Sequence, residues 1–338
     1  MNTSSHYKLK HFIPWTRRKI YKMFLLSIVP TTLYYFFDFK WLAIPWVPVA
    51  LLGTAAAFIS GFRNTQTYSR TWEARQIYGA IINSSRAFGI MIRDFIRDAD
   101  SAKEAELHKE LFYRHFSWLT ALRFQLRETK SWENVKTKSY NREYLKYYKV
   151  LEWESSLEDE LEPFLNEEEI KYILTVNNKS TQILAMQSEQ LKELNKGGFV
   201  TDYYYAVIEN QLKDLYDQQG RCERIKNFPY PRQFSSINLY FTNVLCLLMP
   251  LGFIGEFSKL TEKFGENIIW LTIPFSIIIG WVFLVLDQIG ESTENPFEGS
   301  ANDIPITQIS RNIEIDLREM LGEKDLPKPI TATNNIIM

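Results

Sequence analysis

The chain has 338 residues, 46% hydrophobic and 23% charged, with 39 Lys+Arg against 40 Asp+Glu. That balance excludes nucleic acid as the main partner, because phosphate binding leaves a basic excess. Two cysteines, one near charged residues and one in an apolar run, argue against a disulfide framework and fit a reducing compartment.

The mean hydropathy of −0.22 describes no part of the chain well, because apolar residues are concentrated at both ends. The N-terminal segment, residues 1–22, carries Lys8, Lys10, Arg17, Arg18, Lys19 and Lys22, with no acid before Asp38. No small-residue cleavage site follows the apolar run Met23–Phe37, so the cluster reads as a positive-inside anchor, not a signal peptide. A second run spans Trp41–Phe62, and two more, Gln233–Gly255 and Asn267–Leu286, lie near the other end. A bilayer core about 30 Å thick asks for roughly 20 apolar residues per helix. Three runs meet that length, and the first does so with its flanks from Ile20 to Phe39.

The expected organisation is an all-α membrane protein. Residues 1–22 are cytoplasmic, 23–62 form transmembrane helices 1 and 2, 63–232 form a helical cytosolic domain, and 233–287 form helices 3 and 4. Residues 288–322 are a cytosolic segment packing on that domain, and 323–338 are a flexible tail, rich in proline at Pro327 and Pro329. Positive charge after the second run (Arg63, Arg70, Arg75) keeps both termini on the cytoplasmic side of the cell (inner) membrane.

Only Pro163 interrupts residues 63–228, and apolar residues such as Ile77, Ile81, Phe88, Ile92 and Phe95 recur at helical spacing. Asn166 and Glu169 form a capping-box pattern. Ser180 caps the next expected helix, which ends near Gly197, and Asp202 caps another, which ends at Gly220. Four scattered histidines, without cysteine or carboxylate at ligand spacing, read as surface or packing residues and not as a metal site.

The second span is rich in small residues, and no helix breaker separates it from Arg75, so one helix is expected to run from the bilayer into the cytoplasm. Thr54, Phe58 and Phe62 stand on one face of it. Two readings of that face stand side by side: ordinary packing within one subunit, or a stripe lining a pore, where repeated rings gate by dewetting.

The stretch Gly61-Phe62-Arg63-Asn64, then Tyr68, Arg70, Glu73 and Arg75, resembles the signature after the pore helix of bestrophin-family channels, bacterial members above all. Gly220-Arg221-Cys222-Glu223-Arg224 is a second match. Asn295-Pro296-Phe297 with Asp303 is a third, and the three occur in the family's order. The resemblance implies a homopentamer with four transmembrane helices per subunit and a central pore. It puts the pore neck at Thr54, Phe58 and Phe62 and a cytosolic constriction at Tyr203. It implies a passive channel for small monovalent ions, with chloride favoured over a cation-selective homologue, and with membrane lipid and copies of itself as partners.

No cofactor is expected. Animal members sense calcium through an acidic clasp, but Ser300, Ala301 and Asn302 replace most of its aspartates, so calcium activation of that kind is not expected. Glu291, Glu294 and Glu298 read as a solvated turn. A membrane-anchored helical scaffold is the alternative of a different class. An enzyme is disfavoured because no nucleophile, base and acid can be assembled.

Overall fold

A computed structural model describes residues 1–4 and 6–338. The helices are α1 (Leu9–Phe37), α2 (Trp46–Phe95), α3 (Ser101–Arg127), α4 (Ser139–Tyr144), α5 (Leu157–Leu161) and α6 (Glu167–Thr175). They continue with α7 (Lys179–Lys196), α8 (Asp202–Asn227), α9 (Arg232–Ser258), α10 (Thr261–Phe264), α11 (Thr272–Thr293) and α12 (Ile306–Met320). Four stretches are long and apolar enough to cross a bilayer: α1, Lys40–Phe95 with α2, α9, and Glu266–Thr293 with α11.

These spans pack as one sector, α11 against α1, α2 and α9. Close approach relies on glycine. A Cβ at Gly255 would collide with the Ile44 carbonyl oxygen, and one at Gly280 with the end of Met23.

Helix α2 is 50 residues long, about 75 Å at 1.5 Å per residue. A bilayer core takes less than half of that, so one rigid element runs from the membrane sector deep into the extramembrane body. Its far half buries Ile77, Ile81, Phe88 and Ile92 at helical spacing and packs against α8 and α12. Around it α3, α7, α8 and α12 close a single core. Trp118 of α3 is fully buried and donates its indole N–H to Gln219 of α8 at 2.9 Å.

Several local expectations shift. The capping box at Asn166 and Glu169 opens α6 as the pattern implies. Helix α7, however, is capped by Asn178, which accepts the Thr181 N–H, while the Ser180 hydroxyl donates to Gln125. Thr201, not Asp202, caps α8. That helix passes through Gly220 to Asn227, because Cys222 and Ile225 beyond the glycine are themselves core residues. Helix α1 begins at Leu9, so much of the N-terminal segment continues the span.

The tail is not the flexible segment expected. Asn334 and Asn335 take positive φ (52° and 63°), a tight turn suited to asparagine. The turn brings Ile336 and Met338 back against Tyr148, Val150 and Ala301. Gln308 donates its backbone N–H to the Met338 carbonyl at 2.8 Å.

His115 lies between Phe88 and Trp118, 5.2 Å from each ring, with Nε2 unpartnered among the described residues. Burial lowers its pKa from 6.5 to about 3. Between those values the unfolded chain binds a proton that the folded chain refuses. Stability is therefore full above pH 6.5 and falls as pH drops, by about 1.4 kcal/mol per pH unit for one group. Thermal melts from pH 7.5 to 4.5 should show a decline in Tm that His115→Leu flattens. An unchanged pH dependence in that variant would remove His115 from the account.

Candidate ion pathway

The two faces of α2 differ sharply. Thr54, Phe58 and Phe62 lie on its exposed side; Phe58 is 77% exposed, against 1% for Ser60 and 3% for Arg63 on the opposite side. The stripe extends to Leu51 above and Trp72 below, both exposed. The Thr54 hydroxyl donates to the Ala50 carbonyl at 3.0 Å, so its hydrogen is committed to the helix.

The buried side holds a continuous polar junction. Arg63 binds Asp287 of α11 at 2.5 Å and Glu294 at 3.2 Å. Asn238 of α9 donates to Asp287 at 2.7 Å and receives the Ser60 hydroxyl at 2.7 Å. Glu294 also accepts from Asn134 at 3.0 Å and from Arg232 at 3.2 Å. Two turns further, Arg70 donates to the carbonyls of Glu294, Ile225 and Phe228. Arg63 and Arg70 therefore fasten the back of α2 to α11 and the end of α8, and Ser60 fastens it to α9.

The other motif residues have different surroundings. Gly61 is exposed, with open space where a Cβ would lie. Asn64 has a buried Oδ1 without a partner among the described residues. Tyr68 is 63% exposed and stacks on Trp72. Glu73 pairs with Arg224 at the surface, and Arg75 is exposed.

Tyr203 is 74% exposed at the start of α8. It touches Tyr204 edge-on, and Tyr204 stacks at 4.2 Å on Phe95, the last residue of α2. The 33 residues from Phe62 to Phe95 separate the two positions by about 50 Å along that helix.

The acidic turn corrects the sequence reading. Glu294 and Glu298 are each 1% exposed, and Glu291 is partly buried between Lys138 and Tyr140. Of the three, Glu294 is inside against the buried Arg63, while Glu291 meets Lys138 and Tyr140 and Glu298 meets the amides of Asn134 and Asn295. Asp303 binds Arg127 at 2.9 Å and accepts from the Gly299 N–H and the Ser300 hydroxyl at 2.6 Å each. Glu298 accepts the Asn134 N–H at 2.8 Å, and its Oε1 has no partner among the described residues. Burial, reinforced by the negative Asp303, raises its pKa well above the usual carboxylate range. Asn295 and Phe297 are buried beside it, Phe297 against Tyr78, with Pro296 between them in sequence. Among the described residues no group of His, Cys, Asp and Glu is arranged to hold a metal.

Sequence reasoning missed Asp287, Asn238 and Asn134. Asp287 lies one residue past the apolar run that ends at Leu286, and an isolated acid at a span's edge was the only signal for it.

A four-span helical membrane protein whose longest helix shows a hydroxyl and phenyl stripe, and whose back is held by buried ion pairs, is a channel-type architecture. The chain belongs to the bestrophins: the family described as Bacterial/Fungal Bestrophin protein matches residues 13–319. The voltage-dependent anion channel-forming protein YneE of Salmonella typhi is 26% identical over 306 residues, 90% of this chain and 86% of that protein. Its Escherichia coli K12 counterpart is 27% identical over 285 residues, 84% and 79% of the two chains. A bacterial bestrophin homologue from Klebsiella pneumoniae superposes with a TM-score of 0.74 at 24% identity, covering 91% of this chain and 99% of that one, which is a likeness of fold.

Removing the Arg63 guanidinium leaves two carboxylates buried with reduced compensation. Arg63→Ala should cost about 3–5 kcal/mol, read as a large fall in the melting temperature of the purified protein. Arg63→Met combined with Asp287→Leu should recover much of the loss, because a matched apolar pair restores charge balance. Equal losses in the single and double variants would contradict the pairing.

Proposed function

We propose that five copies of this chain form an anion channel, with α2 of each subunit lining the axis and Thr54, Phe58 and Phe62 forming its neck. The observation that carries this reading is the exposed Thr54/Phe58/Phe62 stripe on a helix whose opposite face is fixed by buried charges. Within one subunit Thr54 and Phe58 lie exposed and Phe62, 49% exposed, rests against Phe234 with ring centroids 6.3 Å apart; five-fold repetition turns the three into rings. Rings of phenyl groups make a constriction that empties of water readily, and phenyl edges carry weak positive potential that suits a passing anion. The names of the related proteins support anion passage, with chloride the favoured ion.

Tyr203 forms the second narrowing, at the far end of the same helix. The basic start of the chain favours a cytoplasmic location for both termini in the inner membrane. The replacement of clasp aspartates by Ser300, Ala301 and Asn302 favours gating without calcium of the animal kind.

Native mass measurement in detergent should give about 200 kDa, five copies of 39.9 kDa. In planar bilayers under a KCl gradient, the reversal potential should lie near the chloride value. A potential near that for potassium would replace anion by cation selectivity, and a monomer without currents would favour a scaffold. Phe58→Ala should raise single-channel conductance by roughly twofold or more if the ring limits flow; unchanged currents would count against the neck.

A further inference from the structure

Two distant stretches of the chain bring unbalanced positive charge to one place. Residues 8–22 carry six Lys and Arg and no acid, and residues 136–149 carry five and a single acid, Glu143, in a chain that is nearly neutral as a whole. The stretches meet where the start of α1 packs against α4. Between them lies an open cleft of about 60 Å³, lined by Lys10, His11, Trp15, Arg17, Glu143 and Tyr147 among others. One water needs about 10–15 Å³ of such space, and a whole small molecule about 300 Å³ or more. The cleft therefore suits a group the size of a phosphate.

Its charge is not balanced from within. Both carboxylate oxygens of Glu143 bind guanidiniums, those of Arg17 and Arg18, at 2.7 Å each. Lys10 is exposed and pairs with no acid among the described residues. The Arg17 and Arg18 side chains are 38% and 58% exposed, so both pairs are open to water and weak, and an incoming anion can reach the same guanidiniums.

The face of α1 that holds the cleft continues into the membrane. Lys10, Pro14, Arg17, Tyr21 and Phe24 follow one another at steps of three or four residues, on one side of the helix. Tyr21, Phe24 and the adjacent Leu25 are exposed. The seven residues from Arg17 to Phe24 span about 10 Å, and the headgroup layer is about 5–7 Å deep on each side of a bilayer. With Arg17 at the level of the phosphates, Phe24 and Leu25 therefore reach the hydrocarbon. Trp15 and Tyr140, edge-on at 5.7 Å, sit where interfacial aromatics settle.

We propose that this cleft binds an anionic phospholipid, with the headgroup phosphate between Lys10 and Arg17 and an acyl chain along Tyr21, Phe24 and Leu25. Basic side chains beside a span attract anionic lipid, and a guanidinium offers a phosphate two parallel donors. The exposed apolar face below the cleft selects a lipid over a free phosphate, which would use the charged part alone. The site depends neither on ion conduction nor on the number of subunits.

Native mass spectrometry of the full-length protein in detergent tests this with phosphatidylglycerol, phosphatidylcholine of the same chains, and glycerol phosphate as a headgroup without chains. Phosphatidylglycerol should saturate at one molecule per subunit and bind at least tenfold more tightly than phosphatidylcholine, and glycerol phosphate at equal concentration should not displace it. Lys10→Gln with Arg17→Gln should weaken phosphatidylglycerol at least tenfold and leave phosphatidylcholine unchanged. Lys10→Gln alone, which breaks no ion pair, should weaken it severalfold, and Glu143→Gln, which releases both guanidiniums, should strengthen it. Lys196→Gln with Lys213→Gln, on α7 and α8, should change nothing. Each variant is checked for a wild-type melting temperature. Equal binding of the two lipids, or an equal loss in the α7 and α8 variant, would overturn the site; displacement by glycerol phosphate would make it a site for free anions and overturn the lipid.

Discussion

The structure depends on one buried charge and its partners. Arg63 is placed where α2 leaves the membrane sector, and nothing there is wet enough to hydrate it. A charge at such a depth persists only when opposite charge and hydrogen bonds surround it. Asp287 and Glu294 supply the charge, and Asn238, Asn134 and Arg232 complete the network. A guanidinium suits this task because its rigid planar fork presents separate N–H donors to two carboxylates in a fixed geometry, where a lysine ammonium is a flexible point charge. The network fixes which face of α2 turns inward to the subunit. The face that carries Thr54, Phe58 and Phe62 follows by geometry.

That constraint is transmitted because α2 is unbroken. One helix carries the stripe, the arginine anchors and, at its last turn, the stack that supports Tyr203. The helix is continuous from Trp46 to Phe95, so these places share one hydrogen-bonded element. Its extramembrane half is held by a core of large side chains, and its membrane half by glycine-mediated contacts of its neighbours.

Much of this was legible from the sequence. The four apolar runs gave the spans, the missing helix breakers gave the long α2, and a spacing of four residues placed Thr54, Phe58 and Phe62 on one face. What the sequence concealed were pairings between distant positions. Glu294 and Glu298 look like a solvated acidic turn until Arg63, Arg127 and Asn134, far away in the chain, come to meet that loop. Asp287 looks like the edge of a span until Arg63 is seen against it. The tail carries two prolines and reads as loose, but two asparagines with positive φ fold Ile336 and Met338 back onto the body. Caps misjudged by one or two residues, Asn178 for Ser180 and Thr201 for Asp202, reflect competition among several side chains able to accept the same N–H.

The claim at the centre is that the exposed stripe of α2 faces water and not lipid. Thiol labelling in reconstituted vesicles tests it directly, because the native Cys222 and Cys246 are both buried. The account predicts that Thr54→Cys, on the hydroxyl-bearing rim of the neck, and Phe58→Cys, whose substitution removes the phenyl ring that empties the constriction of water, react rapidly with a charged, membrane-impermeant methanethiosulfonate, while Ser60→Cys on the anchored face stays unmodified. Slow labelling of the first two in vesicles, with fast labelling only after detergent extraction, would mean that the stripe lies in hydrocarbon and would contradict the account.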